Sequence, residues 1–491
     1  MRCAMTVFTV ANSPEEAVEQ LDALYQASVE RLQTALRSFL TGGKPPSDQD
    51  RKSGAFVYPE LRVTYLPDGP PPPVSRAFGK FTDTGVYSST ITHPMLYRAY
   101  LIEQLTLLAD QYEITIETGP SQVEIPFSYV LDGADDLDMN AVTPAELVRH
   151  FPYADLSRID DDLPNGQRPS VPGEVKPLSL FEAPRVDYSL QRLRHYTGTP
   201  YEDTQQFILF TNYHRYVDVF TAWAIRQLKE DNHYEAFSAA GHVRVDADTP
   251  NAHALVEGAP WRRFQMPAYH LIAPGGRGIT LVNIGVGPSN ANNITDHLAV
   301  LRPQCWLMIG HCAGLRHSQR LGDYVLAHAY LRYDAVLDEA LPIEIPIPPI
   351  AEIQIALEEA VANVSGDSGD ALKARLRTGT VATYADRNWE LTYAAQSRRI
   401  NQSRAIALDM ESATIAANGL RMRVPYGTLL CVSDKPLHGE LKLPGAANLF
   451  YQRSVSEHLA AGLETIEILK RDEGAALHSR KLRSFDEPPF R

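Results

Sequence analysis

Two short runs hold the residue types best suited to chemistry: Asp409-Met410-Glu411-Ser412-Ala413 and, one strand further on, Ser433-Asp434. Glu411 stands where a helix begins, ahead of small and apolar residues at helical spacing from 410 to 418, with Gly419 as a stop signal. Asp434 closes the β-rich apolar run 428–432. A helix followed by a strand in an α/β unit can bring both acids to the carboxyl edge of one sheet, where such folds bind ligands. Two carboxylates facing one cleft suit cleavage of a bond to a sugar carbon. One holds the sugar as cationic charge develops, and the other protonates a poor leaving group. Each acid also has a plainer reading, Glu411 as compensation of a helix dipole and Asp434 as a turn cap.

Two small-residue segments adjoin strands. Gly285-Val286-Gly287 lies between the apolar run 278–284 and a helical pattern starting near 289, so its backbone can approach an anion at a positive helix end. It lacks the third glycine of a dinucleotide fingerprint and the Gly-Lys-Ser/Thr of a P-loop, and a tight turn is the plainer reading. Gly310-His311-Cys312-Ala313-Gly314 follows the buried-strand pattern 306–309 and reads as a loop with room for a ligand, or as close packing. Gly287, His311 and Cys312 are thereby candidate binding residues. Arginines cluster at 262–263, 398–399 and 404, with Arg215 after the first strand of this half.

The elements that must position these residues divide the chain. Ser13-Pro14-Glu15-Glu16 is a helix start, and Val18, Leu21, Tyr25, Leu32, Leu36 and Phe39 share one face until Gly42-Gly43. A strand over 56–66, a helix over 94–110 and a hairpin of 113–117 with 123–130 complete an α+β module. Acid- and proline-rich sequence from 160 to 186 marks a connector. The expected domains are 1–175, N-terminal and α+β; 176–195, a Pro-rich linker; and 196–491, catalytic. In the last, strand patterns at 207–211, 278–284, 306–309, 324–329, 405–408 and 428–432 alternate with helices, and an amphipathic helix covers 454–470. That is the pattern of an α/β fold with a central mixed β-sheet flanked by helices.

The 491 residues carry a net charge of −14, from 46 basic and 60 acidic side chains, which argues against a nucleic-acid surface. No apolar run approaches the ~20 residues of a membrane span, and the start is too short in its apolar part for a secretory signal. The four cysteines are scattered, without metal-ligand spacing, so neither a metal site nor a disulfide framework is expected. Cys305, Cys312 and Cys431 read as small buried hydrophobes. A cytoplasmic location is expected.

From about 206 to 470 the chain resembles the nucleoside phosphorylase/nucleosidase superfamily. The resemblance rests on Asn283-Ile284-Gly285-Val286-Gly287, Ile309-Gly310-His311-Cys312-Ala313-Gly314, Asp409-Met410-Glu411-Ser412-Ala413 and Val432-Ser433-Asp434, in the family's order. Thr378-Gly379-Thr380-Val381, Asp386-Arg387-Asn388-Trp389-Glu390 and the run 433–440, with the extra N-terminal domain, are similar to its AMP-hydrolysing branch. The resemblance implies hydrolysis of AMP to adenine and ribose 5-phosphate, in purine salvage and control of the adenylate pool. It implies that Met410 packs on the ribose, Glu411 accepts its 2′- and 3′-hydroxyls, Asp434 protonates the purine at N7 and Ser433 orients that acid or the base edge. Trp389 would stack on adenine. Asp434 would need to hold a proton near neutral pH, which Lys435 would oppose if it faced the same way.

Phosphorolytic relatives place an arginine where Met308 stands, so water is the expected nucleophile, with His214 and Asp218 as candidates to activate it. Arg215, Arg263 and Arg399 are candidates for the 5′-phosphate, because a guanidinium clamps phosphate with paired donors. The chemistry is expected to need no cofactor. The N-terminal domain is implied to be regulatory, with MgATP as activator and phosphate as inhibitor, and the assembly to be a homohexamer. The stretch 79–92 is a nucleotide-site candidate there, a plain loop otherwise. The competing readings are a purine nucleoside phosphorylase using phosphate, and a non-enzymatic nucleotide-binding protein.

Overall fold

A computed structural model describes residues 7–47, 51, 53–67, 69, 72–131, 142–168, 171, 173–231, 233–441, 446–471, 477, 482–484 and 486–491. The chain divides into two compact units, Met1–Gln191 with Ser484–Arg491, and Arg192–Arg483.

In the first unit the described strands are β1 (Thr9–Ala11), β2 (Val57–Tyr65), β3 (Gly85–Thr90), β4 (Thr115–Glu124) and β5 (Lys176–Pro177), in the sheet order β1-β4-β2-β3-β5. Helix α1 (Pro14–Gly42) begins where the sequence places it. Ser13 Oγ accepts the Glu16 amide at 3.1 Å, and Val18, Leu21, Tyr25, Leu32, Leu36 and Phe39 form its buried stripe. Helices α2 (Arg98–Ala109), α3 (Pro144–His150) and α4 (Ala183–Thr197, its last residues in the second unit) follow.

The expected hairpin of 113–117 with 123–130 is instead the single strand β4 followed by a 3-10 turn at Phe127–Tyr129. Extended pairing to β2 on one edge and β1 on the other outweighs the turn signal of Gly119-Pro120. The stretch 176–195 carries β5 and most of α4 rather than an irregular connector. Within 79–92, Thr90 and Thr92 are structural: Thr90 N and Oγ1 donate to Glu182, and Thr92 Oγ1 donates to Asp187 at 2.7 Å.

In the second unit the described strands are β6 (Phe207–Thr211), β7 (Ala236–Ala239), β8 (Val243–Val245), β9 (Ala268–Ile272), β10 (Ile279–Asn283), β11 (Cys305–Gly314), β12 (Tyr324–Tyr333), β13 (Leu376–Tyr384), β14 (Ala407–Asp409) and β15 (Tyr426–Asp434). They form one mixed sheet, β14-β13-β12-β15-β11-β6-β10-β9-β7-β8. Helices α5 (His214–Glu230), α6 (Ala252–Gly258), α7 (Pro288–Leu298), α8 (Ala351–Ser365), α9 (Gly369–Arg375), α10 (Tyr393–Ser403), α11 (Ser412–Met422) and α12 (Ala446–Lys470) accompany it.

The segment 310–314, expected as a loop, continues β11 as fully buried strand, because it has ladder partners on both edges. Gly419 does not stop α11, which runs on to Met422 and ends at Arg423 with φ 61°. A Cβ at Gly419 would collide with the Tyr426 ring and lie 2.8 Å from Val424 O, so this glycine serves close packing against β15.

Candidate active site

Strand β14 turns back onto β11, with Ala313 opposite Leu408 and Gly314 opposite Ala407, and this carries residues 409–411 beside the end of β11. On its other edge β11 runs parallel to β15 in register from Trp306–Tyr426 to Cys312–Val432, after which Ala313 faces Asp434. Ser433 is thus the extra residue of a bulge. Consecutive residues of a regular strand point to opposite faces. The bulge re-aims this pair, and Ser433 and Asp434 line the same cleft.

That cleft, of about 270 Å³, lies wholly within the second unit and is also lined by His311, Cys312, Trp389, Asp409, Met410 and Glu411. The sequence-derived acids therefore meet in one place. Glu411 sits on its floor, 0% exposed. Its Oε1 accepts the Gly287 amide at 2.7 Å and its Oε2 accepts Asn212 Nδ2 at 3.0 Å. Gly287, with φ 121°, is the N-cap of α7, so the anion offered to that positive helix end is Glu411 itself. Burial, and then the neighbouring Asp409, push the Glu411 carboxyl up to about 8, while the Gly287 and Asn212 donors pull the other way. Asp409 is likewise buried and raised by desolvation, against donors from the Ser412 amide at 2.9 Å, the Ser412 hydroxyl and Thr383 Oγ1 at 2.6 Å.

Ser433 Oγ donates to Asp434 Oδ1 at 2.6 Å and lies 3.3 Å from the Cys312 carbonyl. Lys435 spends its charge elsewhere, with Nζ 2.8 Å from Gln319 O and 2.6 Å from Glu440 Oε1. Trp389 is buried in an apolar cluster with Leu408, Ala313 and the partly buried Met410, so it borders the cleft from the core. Cys305, Cys312 and Cys431 are buried free thiols, and Cys3 lies outside the described residues.

His311 belongs to a buried polar chain. His458 Nε2 lies 3.0 Å from the Leu429 carbonyl, which can only accept, and burial lowers the His458 pKa to about 3. Its neutral ring therefore accepts at Nδ1 from Tyr216 OH, 2.7 Å away. The phenol's single proton is then used, so its oxygen accepts from His311 Nε2 at 3.2 Å. The chain fixes a proton on His311 Nε2.

The cationic candidates separate. Arg215 lies 5.9 Å from the Tyr213 ring centroid and 5.7 Å from that of Tyr451, both rings lining the cleft. Arg263, exposed in the turn Trp261–Arg263, and Arg399, exposed on α10 over Tyr333, are outside the cleft wall. Arg387 lines it. His214 and Asp218 pair with each other at 3.4 Å, His214 stacks on Trp261 at 4.0 Å, and neither lines the cleft. Met308 is wholly buried, its methyl folded over Gly310. Sequence patterns did not point to Asn212, Tyr213 or Tyr451. Only tertiary pairing brings them here, and a polar residue just past the buried strand β6 was the one available signal.

Residues 16–175 match the family described as Bacterial AMP nucleoside phosphorylase N-terminus, and residues 244–466 match the Phosphorylase superfamily. The chain is 57% identical over 480 residues to proteins named AMP nucleosidase from Escherichia coli strains K12 and O157:H7, with 98% of each chain covered. Among solved structures it is similar to an AMP nucleosidase from Bacteroides thetaiotaomicron, at 27% identity and TM-score 0.43, over 59% of this chain and 99% of that one. A purine nucleoside phosphorylase from Toxoplasma gondii follows at 14% identity and TM-score 0.41, over 56% of this chain and 94% of that one.

Proposed function

Because this chain belongs to the AMP nucleosidase family and, as an N-glycosyl hydrolase, converts AMP to adenine and ribose 5-phosphate, we propose that Glu411 and Asp434 divide the chemistry between them. The observation that carries this is their place in one cleft, with Asp434 oriented by Ser433. Met410 packs against the ribose, and Glu411 accepts hydrogen bonds from its 2′- and 3′-hydroxyls. Asp434 gives a proton to purine N7 as the C1′–N9 bond breaks and its electron pair leaves with the base. Adenine anion is a poor leaving group, and such protonation contributes roughly 10²–10⁴-fold. Cationic charge growing on the ribose is favoured by the ionised Glu411 close by. Water then bonds to C1′ and loses one proton to solvent, and Asp434 takes up a proton from solvent before the next turnover. The buried methionine at position 308 places no cation there to hold a phosphate nucleophile. Trp389 presents its ring to adenine, and His311, Cys312 and the Gly287 turn shape the ribose side.

Arg387, on the cleft wall, and Arg215, held against Tyr213 and Tyr451, supply positive charge for the 5′-phosphate. The first unit is regulatory in this reading, with MgATP activating and phosphate inhibiting, and the active assembly is a homohexamer. The protein works in the cytoplasm, in keeping with free buried thiols, and no helix of the described residues is long and apolar enough to cross a membrane. Purified protein incubated with AMP, with and without MgATP, should release free adenine and ribose 5-phosphate, faster with the effector. Adenine release that an Asp434→Asn variant matches would refute the assignment of the acid. Sedimentation at a monomer's mass would refute the hexamer.

A further inference from the structure

We propose that Asn212 is a positioning residue for the reaction: its side-chain amide fixes the orientation of the Glu411 carboxylate for the ribose diol and donates to its charged form. The proposal rests on the assignment of Glu411 to the ribose.

Asn212 follows the last residue of β6, and Glu411 precedes α11, 199 residues later in sequence. Both line the cleft. The carboxylate is gripped at both oxygens from two separate elements, by the Gly287 amide at 2.7 Å and by Asn212 Nδ2 at 3.0 Å. A main-chain donor at a helix N-terminus can shift only with the chain, so it fixes one oxygen. The second donor fixes rotation about the last carbon–carbon bond, and with it the lone pairs left for two vicinal hydroxyls.

The amide also borders Gly310. Its Oδ1 lies 3.4 Å from where a Cβ on Gly310 would stand, and the Met308 methyl lies 2.6 Å from the same point. A Cβ at 310 would displace the flexible Met308 methyl and would meet the amide oxygen only at ordinary contact distance.

The electrostatics agree in sign. Desolvation and Asp409 favour the protonated form of Glu411, and Asn212 is one of the donors favouring the charged form. A neutral amide does this without adding a cation, which would compete for the developing sugar charge. An aspartate at 212 would do the reverse, placing a third carboxylate beside two that already oppose each other.

The test uses the full chain and rates of adenine release from AMP and 2′-deoxy-AMP between about pH 6 and about pH 10. Asn212→Leu keeps the volume and removes the donor. It should move the ascending limb of kcat/KM by about one unit to higher pH, lower kcat/KM about tenfold at neutral pH, and recover most of it at the alkaline end. The preference for AMP over 2′-deoxy-AMP should narrow, since a carboxylate free to rotate no longer holds both hydroxyls. Asn212→Asp should move the limb further. If Asn212→Leu fails to fold, Asn212→Ala, which removes the donor and admits water in its place, should give a smaller shift of the same sign. A loss equal at every pH with the 2′-deoxy preference intact would overturn the proposal. Glu411→Gln at wild-type rate would overturn the underlying assignment of Glu411 instead, so the two failures are distinguishable.

Discussion

Ser433 Oγ donates to Asp434 Oδ1 at 2.6 Å from within a bulge that Ser433 itself creates, since it has no partner on β11. The bond orients the carboxyl group that the proposed mechanism uses as the acid. Asp434→Asn should therefore lower kcat by roughly 10²–10⁴-fold with little change in KM, because the amide keeps the shape and loses the acid. Ser433→Ala should cost less, up to about tenfold in kcat, the worth of one orienting hydrogen bond. Steady-state adenine release by both variants checks this, and equal losses would contradict the division of labour.

Glu411, with its carboxyl pushed up to about 8 in the folded chain, should leave a mark on stability as well as on rate. The unfolded value is the ordinary 4.5, so between it and about 8 the folded state binds more proton than the unfolded one. Stability must then fall as pH rises through that window. Glu411→Gln removes the titration and should be more stable than the wild type at alkaline pH, by on the order of 1–3 kcal/mol, with the gain vanishing in acid. Denaturant melts at either end of the window check the sign. The same variant should lose most of its activity, a trade common where an active site stores an unfavourable charge.

The acids and the strands around them were legible because each sits in an apolar run of the right period, and the α1 stripe because its cap and spacing agree. The bulge was not. β15 is apolar on both faces, so no alternation was broken when Ser433 lost its partner. The small residues 310–314 carried a loop signal, yet pairing to β14 and β15 kept them in strand. Gly419 carried a stop signal, yet its lack of a Cβ serves the Tyr426 ring. Gly419→Ala should consequently destabilise the second unit by about 1–3 kcal/mol despite the better helix propensity of alanine, as a chemical melt would show. Asn212 had only its place just past β6 as a signal, since its partner is distant in sequence and only closure of the sheet brings them together.

Tyr216 links two histidines, and its removal tests the direction of the proton chain. In Tyr216→Phe, His458 Nδ1 keeps its burial and loses its only assigned donor, while His311 Nε2 loses its acceptor. The buried His458 Nδ1 left without its donor should cost about 1–3 kcal/mol. A second substitution, His458→Phe, should then cost much less in the Tyr216→Phe background than alone, because the orphan is removed with it. Additive losses in the double-mutant cycle would show that the chain is not coupled.

Arg387 lines the cleft, where a phosphate-bearing substrate differs from its nucleoside only at the 5′ end. If its guanidinium meets the phosphate, Arg387→Ala should raise KM for AMP about 10–100-fold, the worth of a charge-assisted contact, with kcat close to that of the wild type. Adenosine, which lacks the phosphate, should lose almost nothing, so the preference for AMP over adenosine should shrink by the same factor. Salt offers an independent check. The KM for AMP in the wild type should rise with ionic strength as counter-ions screen the contact, and this slope should flatten in Arg387→Ala. Arg215→Ala should behave alike if both arginines share the phosphate, and the pair should be less than additive because one cation retains part of the charge. An Arg387→Ala enzyme that weakens adenosine and AMP equally would place this guanidinium on the base instead, beside Trp389.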